Sequence, residues 1–197
     1  MSKMERRYSA LIVSAADNMN QVLGGLMGAA RFDPVRRTAS VSAARRMLAE
    51  RSFDMIIVNA PLPDDAGVRF ALDAAGEKGT LVLMIVRAEQ HSQVCAAVSP
   101  FGIFTLARPC SRQTLETALQ WMISARERLR KAEEKTVSIE MKMKEIRTVN
   151  RAKWMLIDKL GMDEPAAHRY IEKQAMDTCA TRLQTAESII SRYSQRG

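Results

Sequence analysis

The chain has 197 residues, 47% hydrophobic and 26% charged, with a formal net charge of +8, room for one ordinary domain and a smaller second one. No apolar run approaches the roughly 20 residues that span a bilayer, and MSKMERRYSA is not followed by the apolar stretch of a secretory signal. Cys95, Cys110 and Cys179 form no CxxC pair, and His91 and His168 stand at no ligand spacing, so the sequence implies no disulfide framework, metal site or cofactor.

Residues 8–110 alternate short apolar runs with amphipathic segments, the pattern of a doubly wound α/β sheet. The expected strands are 8–14 (YSALIVS), 35–39, 54–59 (DMIIVN), 80–86 (TLVLMIV) and 102–107 (GIFTLA), a five-stranded parallel sheet. Helices are expected near 18–30, 41–51, 66–75 and 89–98, with Asp17 as the N-cap of the first. The third and fourth strands are apolar almost throughout, as strands covered on both faces are.

Three segments here, LIVSAAD, DMIIVNAPLPDDAG and LARPC, follow the order of landmarks in a known fold. The region resembles the receiver domain of two-component signalling, which implies a flavodoxin-like fold. By that resemblance the phosphate-accepting aspartate falls at Asn59 and the metal-binding acidic pair at Ser14 and Ala15. The lysine that precedes proline is Arg108, before Pro109. The hydroxyl residue closing the fourth strand is replaced by Val86 or Arg87, and the aromatic switch position is Thr105.

Those replacements decide the expected chemistry. Phosphoryl transfer to a carboxylate needs a nucleophilic oxygen anion and a cation held by further carboxylates. Asn59 is a neutral amide, and Ser14 and Ala15 bring no charge. The expectation is a pseudo-receiver kept as a scaffold or interaction surface, open to an upstream signalling protein or a ligand.

From Ser111, which can cap a helix, the pattern changes. Leu115, Met122, Leu129, Thr136 and Met143 recur every seven residues, interleaved with Ala118, Ala125, Ala132, Ile139 and Ile146. That is a coiled-coil seam. No proline or glycine interrupts it before Gly161, so one helix should run from the receiver into the C-terminal region. A parallel homodimer through residues 115–146 is expected, and its alanines and threonine suggest a tunable one. The charge run 126–135 reads as the solvated face of this helix.

Residues 147–197 suggest three helices too short to be stable alone, which must pack on one another. The first carries Val149, Ala152, Leu156 and Leu160 and stops at Gly161. Asp163 is a natural N-cap with Glu164 and Pro165 in the first turn. The second helix follows on Ala167, Tyr170, Ile171 and Ala175. Asp177 and Thr178 should cap the third, whose apolar stripe is Cys179, Leu183, Ala186, Ile190 and Tyr193. The expected division is thus 1–110, 111–146 and 147–197.

The order of Ala152-Lys153, Leu156, Leu160-Gly161, Ala167, Tyr170-Ile171, Gln174-Ala175-Met176-Asp177 and Ala186 resembles the ANTAR domain of bacterial antitermination regulators. Trp154 departs from it, lying where that family usually has glycine; an indole there must pack on a neighbour or cover a contact site. The resemblance implies binding to stem-loops in nascent messenger RNA, no enzymatic activity and, with the unpaired cysteines, a cytoplasmic location.

Charge agrees with an anionic partner: residues 1–110 carry 13 basic and 10 acidic side chains, residues 111–197 carry 17 and 12. The candidate RNA-binding cations are Arg151, Lys153 and Lys159 on the first helix, Arg169 and Lys173 on the second, and Arg182 on the third. Lys153 and Arg151 rank first, because Lys153 lies inside the Ala-Lys signature. Two other functions fit the same outline: a DNA-binding transcription factor, and a protein-interaction or sequestration module without nucleic acid. Against the former, ATRLQTAESII offers only Arg182 as a cation for a recognition helix.

Overall fold

A computed structural model describes residues 6–194. Its elements, in chain order, are β1 (Tyr8–Val13), α1 (Asp17–Leu26), β2 (Phe32–Thr38), α2 (Val41–Glu50), β3 (Met55–Asn59), α3 (Val68–Ala75), β4 (Leu81–Arg87), α4 (Ala88–Val98), β5 (Phe104–Arg108), α5 (Arg112–Leu160), α6 (Glu164–Asp177) and α7 (Arg182–Ser194). The chain divides into two compact units, Met1–Arg130 and Lys131–Gly197, and α5 contributes to both. No helix among the described residues is long and apolar enough to cross a membrane.

In the first unit the strands form one parallel sheet in the order β2-β1-β3-β4-β5. Leu11, Val13, Ile56, Val58, Val82, Met84 and Val86 alternate with Ala10, Ile12, Met55, Ile57, Leu83 and Ile85, and the two sets enter different hydrophobic cores. A strand turns successive side chains to opposite faces, so this alternation is a sheet covered on both sides. One face packs on α2, α3 and α4 through Val41, Ala44, Phe70, Ala74 and Val98. The other packs on α1 and α5 through Leu23, Leu115, Leu119 and Met122.

That second core corrects the expected seam. Leu115, Ala118 and Met122 are buried against this chain's own sheet, so the apolar repeat cannot face a partner helix there. Polar contacts fix the same stretch of α5. The Tyr8 hydroxyl donates to Glu127 Oε1 at 2.6 Å, and Arg126 Nε donates to Asp54 Oδ1 at 3.1 Å. Asp54 Oδ2 also accepts from the Ser9 amide and hydroxyl, at 2.9 and 3.0 Å. Arg126 and Glu127 therefore work as anchors, not as free members of a solvated charge run.

Two helix starts also differ from expectation. Asp17 lies in the first turn of α1, whose N-cap is Ala16. The polar contacts at that turn come from Ser14, whose Oγ accepts from the Ala16 amide at 3.3 Å and whose carbonyl accepts from Asn20 Nδ2 at 3.1 Å. In the second unit α7 is capped by Thr181, not by Asp177 and Thr178. The Gln184 amide donates to Thr181 Oγ1 at 3.2 Å, while Gln184 Oε1 accepts from the Thr181 amide at 2.9 Å. This reciprocal Thr-x-x-Gln pair satisfies two orphan donors at once, which a cap at Asp177 would not. Cys179 is then left in the turn, exposed, with φ of 50°.

The core of the second unit is small: Ala152 and Leu156 from α5, Ala167 and Ile171 from α6, Ala186 and Ile189 from α7. Alanine on each helix lets the backbones approach closely. Gly161, at φ 64°, ends α5 in the left-handed region that glycine tolerates, and Asp163 Oδ1 accepts from the Ala166 amide at 2.7 Å to start α6.

Candidate nucleic-acid interface

The carboxyl edge of the sheet holds the first group of candidate residues. Asn59 ends β3, 4% exposed, and its Nδ2 donates to Ser14 Oγ at 3.0 Å. The β1–β3 register, Val13 opposite Val58, brings the two together. Ala15 is exposed. Arg108 ends β5, and its Nη2 donates to the Ala60 carbonyl at 2.9 Å, one residue beyond Asn59. Val86 is buried and Arg87 exposed at the end of β4, while Thr105 lies in β5 opposite Met84.

A receiver fold normally implies a divalent ion at this edge. Hard cations of that kind are held by anionic oxygens, whereas Ser14, Ala15 and Asn59 supply a hydroxyl, a methyl and a neutral amide. The residues present do not fit such an ion. The Asn59 amide nitrogen and the Ser14 hydroxyl instead bond to each other, and Arg108 Nη2 is held by backbone while its Nε is buried without a partner among the described residues.

In the second unit the outer face of α5 is apolar. Ile139, Met143 and Ile146 are exposed, and the stripe continues through Asn150 to Trp154, which is 70% exposed. These residues recur at three- and four-residue steps on the side of the helix opposite Ala152 and Leu156. Trp154 does not pack within its own unit. Continued past Ile146, the heptad falls on Asn150, Lys153 and Ile157, so the repeat does not reach Trp154, which joins the stripe only by the four-residue step from Asn150.

The candidate cations separate into two groups. Lys153 Nζ donates to Glu164 Oε1 at 2.6 Å, and its side chain is only 16% exposed. The hydrogen bond from Lys153, followed by its charge, lowers the Glu164 carboxyl pKa. Arg182 pairs with Glu145 at 3.3 Å, and Lys159 with Asp158 at 3.5 Å. Arg151, Arg169 and Lys173 are exposed and have no ion-pair partner among the described residues.

Arg169 and Lys173 lie one helical turn apart on α6, facing away from the buried Ala167, Ile171 and Ala175, with Met176 beside them at 79% exposure. Like charges at this spacing repel in the free protein, and the repulsion is relieved when an anion approaches. Beside this face, a groove of about 230 Å³ between α6 and α7 is lined by Gln174, Gln184, Thr185, Ile189 and Arg192. Arg192 was missed in the sequence, because it falls outside the region carrying the family resemblance.

Residues 138–190 match the family model described as the ANTAR domain. The transcriptional regulatory protein PdtaR, from two strains of Mycobacterium tuberculosis, is 25% identical over 137 residues, which cover 70% of this chain and 67% of that protein. The signal receiver domain of an HD domain-containing protein from Pseudomonas fluorescens has a similar structure, with a TM-score of 0.57 at 20% identity, over 66% of this chain and 97% of that one. The chemotaxis response regulator CheY4 of Vibrio cholerae gives 0.52 at 21% identity, over 59% of this chain and 99% of that one. The two solved structures share the fold of the five-stranded sheet.

Proposed function

We propose that this chain, a receiver fold joined to an ANTAR domain, is a non-enzymatic regulator of transcription that binds stem-loops in nascent messenger RNA as a homodimer and so controls antitermination. The observation that carries this reading is the unpaired Arg169–Lys173 face of α6, which lies inside the segment that matches the ANTAR family. With Arg151 it supplies the phosphate contacts, while Lys153, Lys159 and Arg182 are occupied by carboxylates of the same unit.

In this reading residues 1–110 and the start of α5 form a pseudo-receiver. Asn59 does not accept phosphate, because an amide is no nucleophile at neutral pH and Ser14 and Ala15 beside it offer no anionic oxygen for a metal. Any signal that reaches the receiver then comes through a partner protein or a ligand. The rest of α5 serves both as dimerisation helix and as first helix of the RNA-binding unit, with a seam running from Ile139 through Met143 and Ile146 to Trp154. Pairing there buries the indole. Two linked RNA-binding units gain affinity when two stem-loops lie within their joint reach.

The test is equilibrium binding of the full chain to a two-hairpin RNA, a single hairpin and duplex DNA at one salt concentration. The two-hairpin RNA should bind tightest. Preference for duplex DNA would support a DNA-binding factor instead, and no binding to either nucleic acid would support a protein-interaction module.

A further inference from the structure

The groove between α6 and α7 is polar in a way that its own unit does not explain. Thr185 is 7% exposed, and its hydroxyl is buried without a hydrogen-bond partner among the described residues. A threonine in a helix ordinarily returns its hydroxyl to a carbonyl one turn back, as Thr178 does to Gln174 at 2.7 Å. Thr185 does not, and the residue lies in the wall of the groove.

Around that hydroxyl the available hydrogen-bonding groups are fixed. Gln184 Oε1 is committed to the amide and hydroxyl of Thr181, at 2.9 and 3.1 Å. Its Nε2 donors have no partner among the described residues, so the cap holds this amide with its donors unused. The Gln174 amide and the Arg192 guanidinium are likewise unpaired among the described residues, and Ile189 supplies an apolar wall. The volume, about 230 Å³, is below the ~300–1,000 Å³ of pockets that enclose drug-sized ligands. A single flat heterocycle fits such dimensions and such edges.

We propose that the α6–α7 groove takes one unpaired RNA base, with its face against Ile189 and its edge read by the Thr185 hydroxyl and the amides of Gln174 and Gln184, while Arg192 at the exposed rim holds the adjoining phosphate. This inference rests on the RNA-binding reading above. A base can enter only if it is splayed out of the stack, because the edges of a closed A-form duplex are out of reach of a concave protein site. The groove thus selects loops over stems, and it selects among bases because a wrong edge leaves buried polar groups unpaired.

The test uses the full chain and a pool of RNA hairpins with one common stem and randomised loops, recovered by binding and sequenced. The wild-type protein should enrich one base at one loop position by about tenfold or more. Thr185→Val, which removes the hydroxyl and keeps the shape, and Gln174→Ala should each reduce that enrichment to under about twofold. Arg192→Gln, on the exposed rim, provides a variant that leaves the core intact, and it should weaken binding to the enriched loop more than binding to the unselected pool. Hairpin binding with no base preference in the wild type, or a preference kept in Thr185→Val and Gln174→Ala, would overturn the groove while leaving RNA binding standing. Failure of the wild type to bind any hairpin would remove the RNA-binding reading itself, and the groove's role with it.

Discussion

Asn59 and Ser14 are joined by a 3.0 Å hydrogen bond across the ends of β3 and β1. In a phosphorylated receiver those positions would carry an aspartate nucleophile and part of a metal-binding acidic pair. Here the amide nitrogen donates to the hydroxyl, and Asn59 Oδ1 is buried without a hydrogen-bond partner among the described residues. Incubation with a small phosphodonor and Mg²⁺ should leave the intact mass unchanged, and Asn59→Asp alone should not change that, since Ser14 and Ala15 still hold no metal. A gain of one phosphoryl group on the variant would show that the missing acidic pair is not required.

The Tyr8–Glu127 contact ties the start of α5 to β1 and makes the first unit sensitive to pH at both extremes. The hydrogen bond from Arg130, then that from Tyr8, lowers Glu127 from 4.5 to about 2. Burial, followed by the bond to Glu127, raises Tyr8 from 10.0 to about 12. A carboxyl depressed on folding contributes stability above its unfolded pKa and loses it as pH falls toward the folded one; a phenol raised on folding loses its contribution as pH climbs through the folded value. Thermal melts should show a midpoint falling between about pH 4.5 and 2 and again between about 10 and 12. In Glu127→Gln the acid-side decline should be shallower, and the wild-type profile in that variant would remove this contact from the explanation.

Dimerisation should depend on the second unit's stretch of α5. Ile139→Asp places an unpaired carboxylate in the seam of each chain, and Trp154→Ala removes its largest apolar side chain. Light scattering at micromolar concentration should find the wild type dimeric, Ile139→Asp monomeric and Trp154→Ala shifted toward monomer. A wild-type monomer at that concentration would sink the seam. Met122 is not a test position, since replacing it would damage the sheet-facing core.

Lys153→Ala separates the two kinds of cation. Lys153 bridges α5 to the start of α6 through Glu164, so its loss should lower the melting temperature of the second unit slightly. The salt dependence of RNA binding should stay as in the wild type. A flattened salt dependence with unchanged stability would return Lys153 to the RNA surface.

The limits of sequence reasoning appear in these same residues. The parallel sheet was legible because its strands are apolar runs at regular spacing, and the ANTAR helices because their apolar steps and the Gly161 and Asp163 caps are local signals. Met122 and Met143 occupy the same heptad position, yet one lies in the receiver core and the other in solvent. Spacing within a helix cannot say which surface it faces. The Thr181–Gln184 cap is a local signal too, but Asp177-Thr178 offers an equivalent one four residues earlier, and only the structure separates them. Lys153 was chosen by its place in a signature, and its partner Glu164 lies on another helix. The α6–α7 groove combines Gln174 with Arg192, a proximity that only packing creates.

The RNA surface is tested most directly by the salt dependence of hairpin binding in the wild type and in the double variant Arg169→Ala/Lys173→Ala. Each phosphate-contacting cation releases condensed counterions and adds roughly 0.7 to the log–log slope for single-stranded RNA. Removal of both should therefore flatten the slope by about 1.4, with helical content and melting temperature nearly unchanged, because both side chains are exposed and have no ion-pair partner among the described residues. An unchanged slope in the double variant, with RNA still bound, would contradict the placement of the RNA on the outer face of α6.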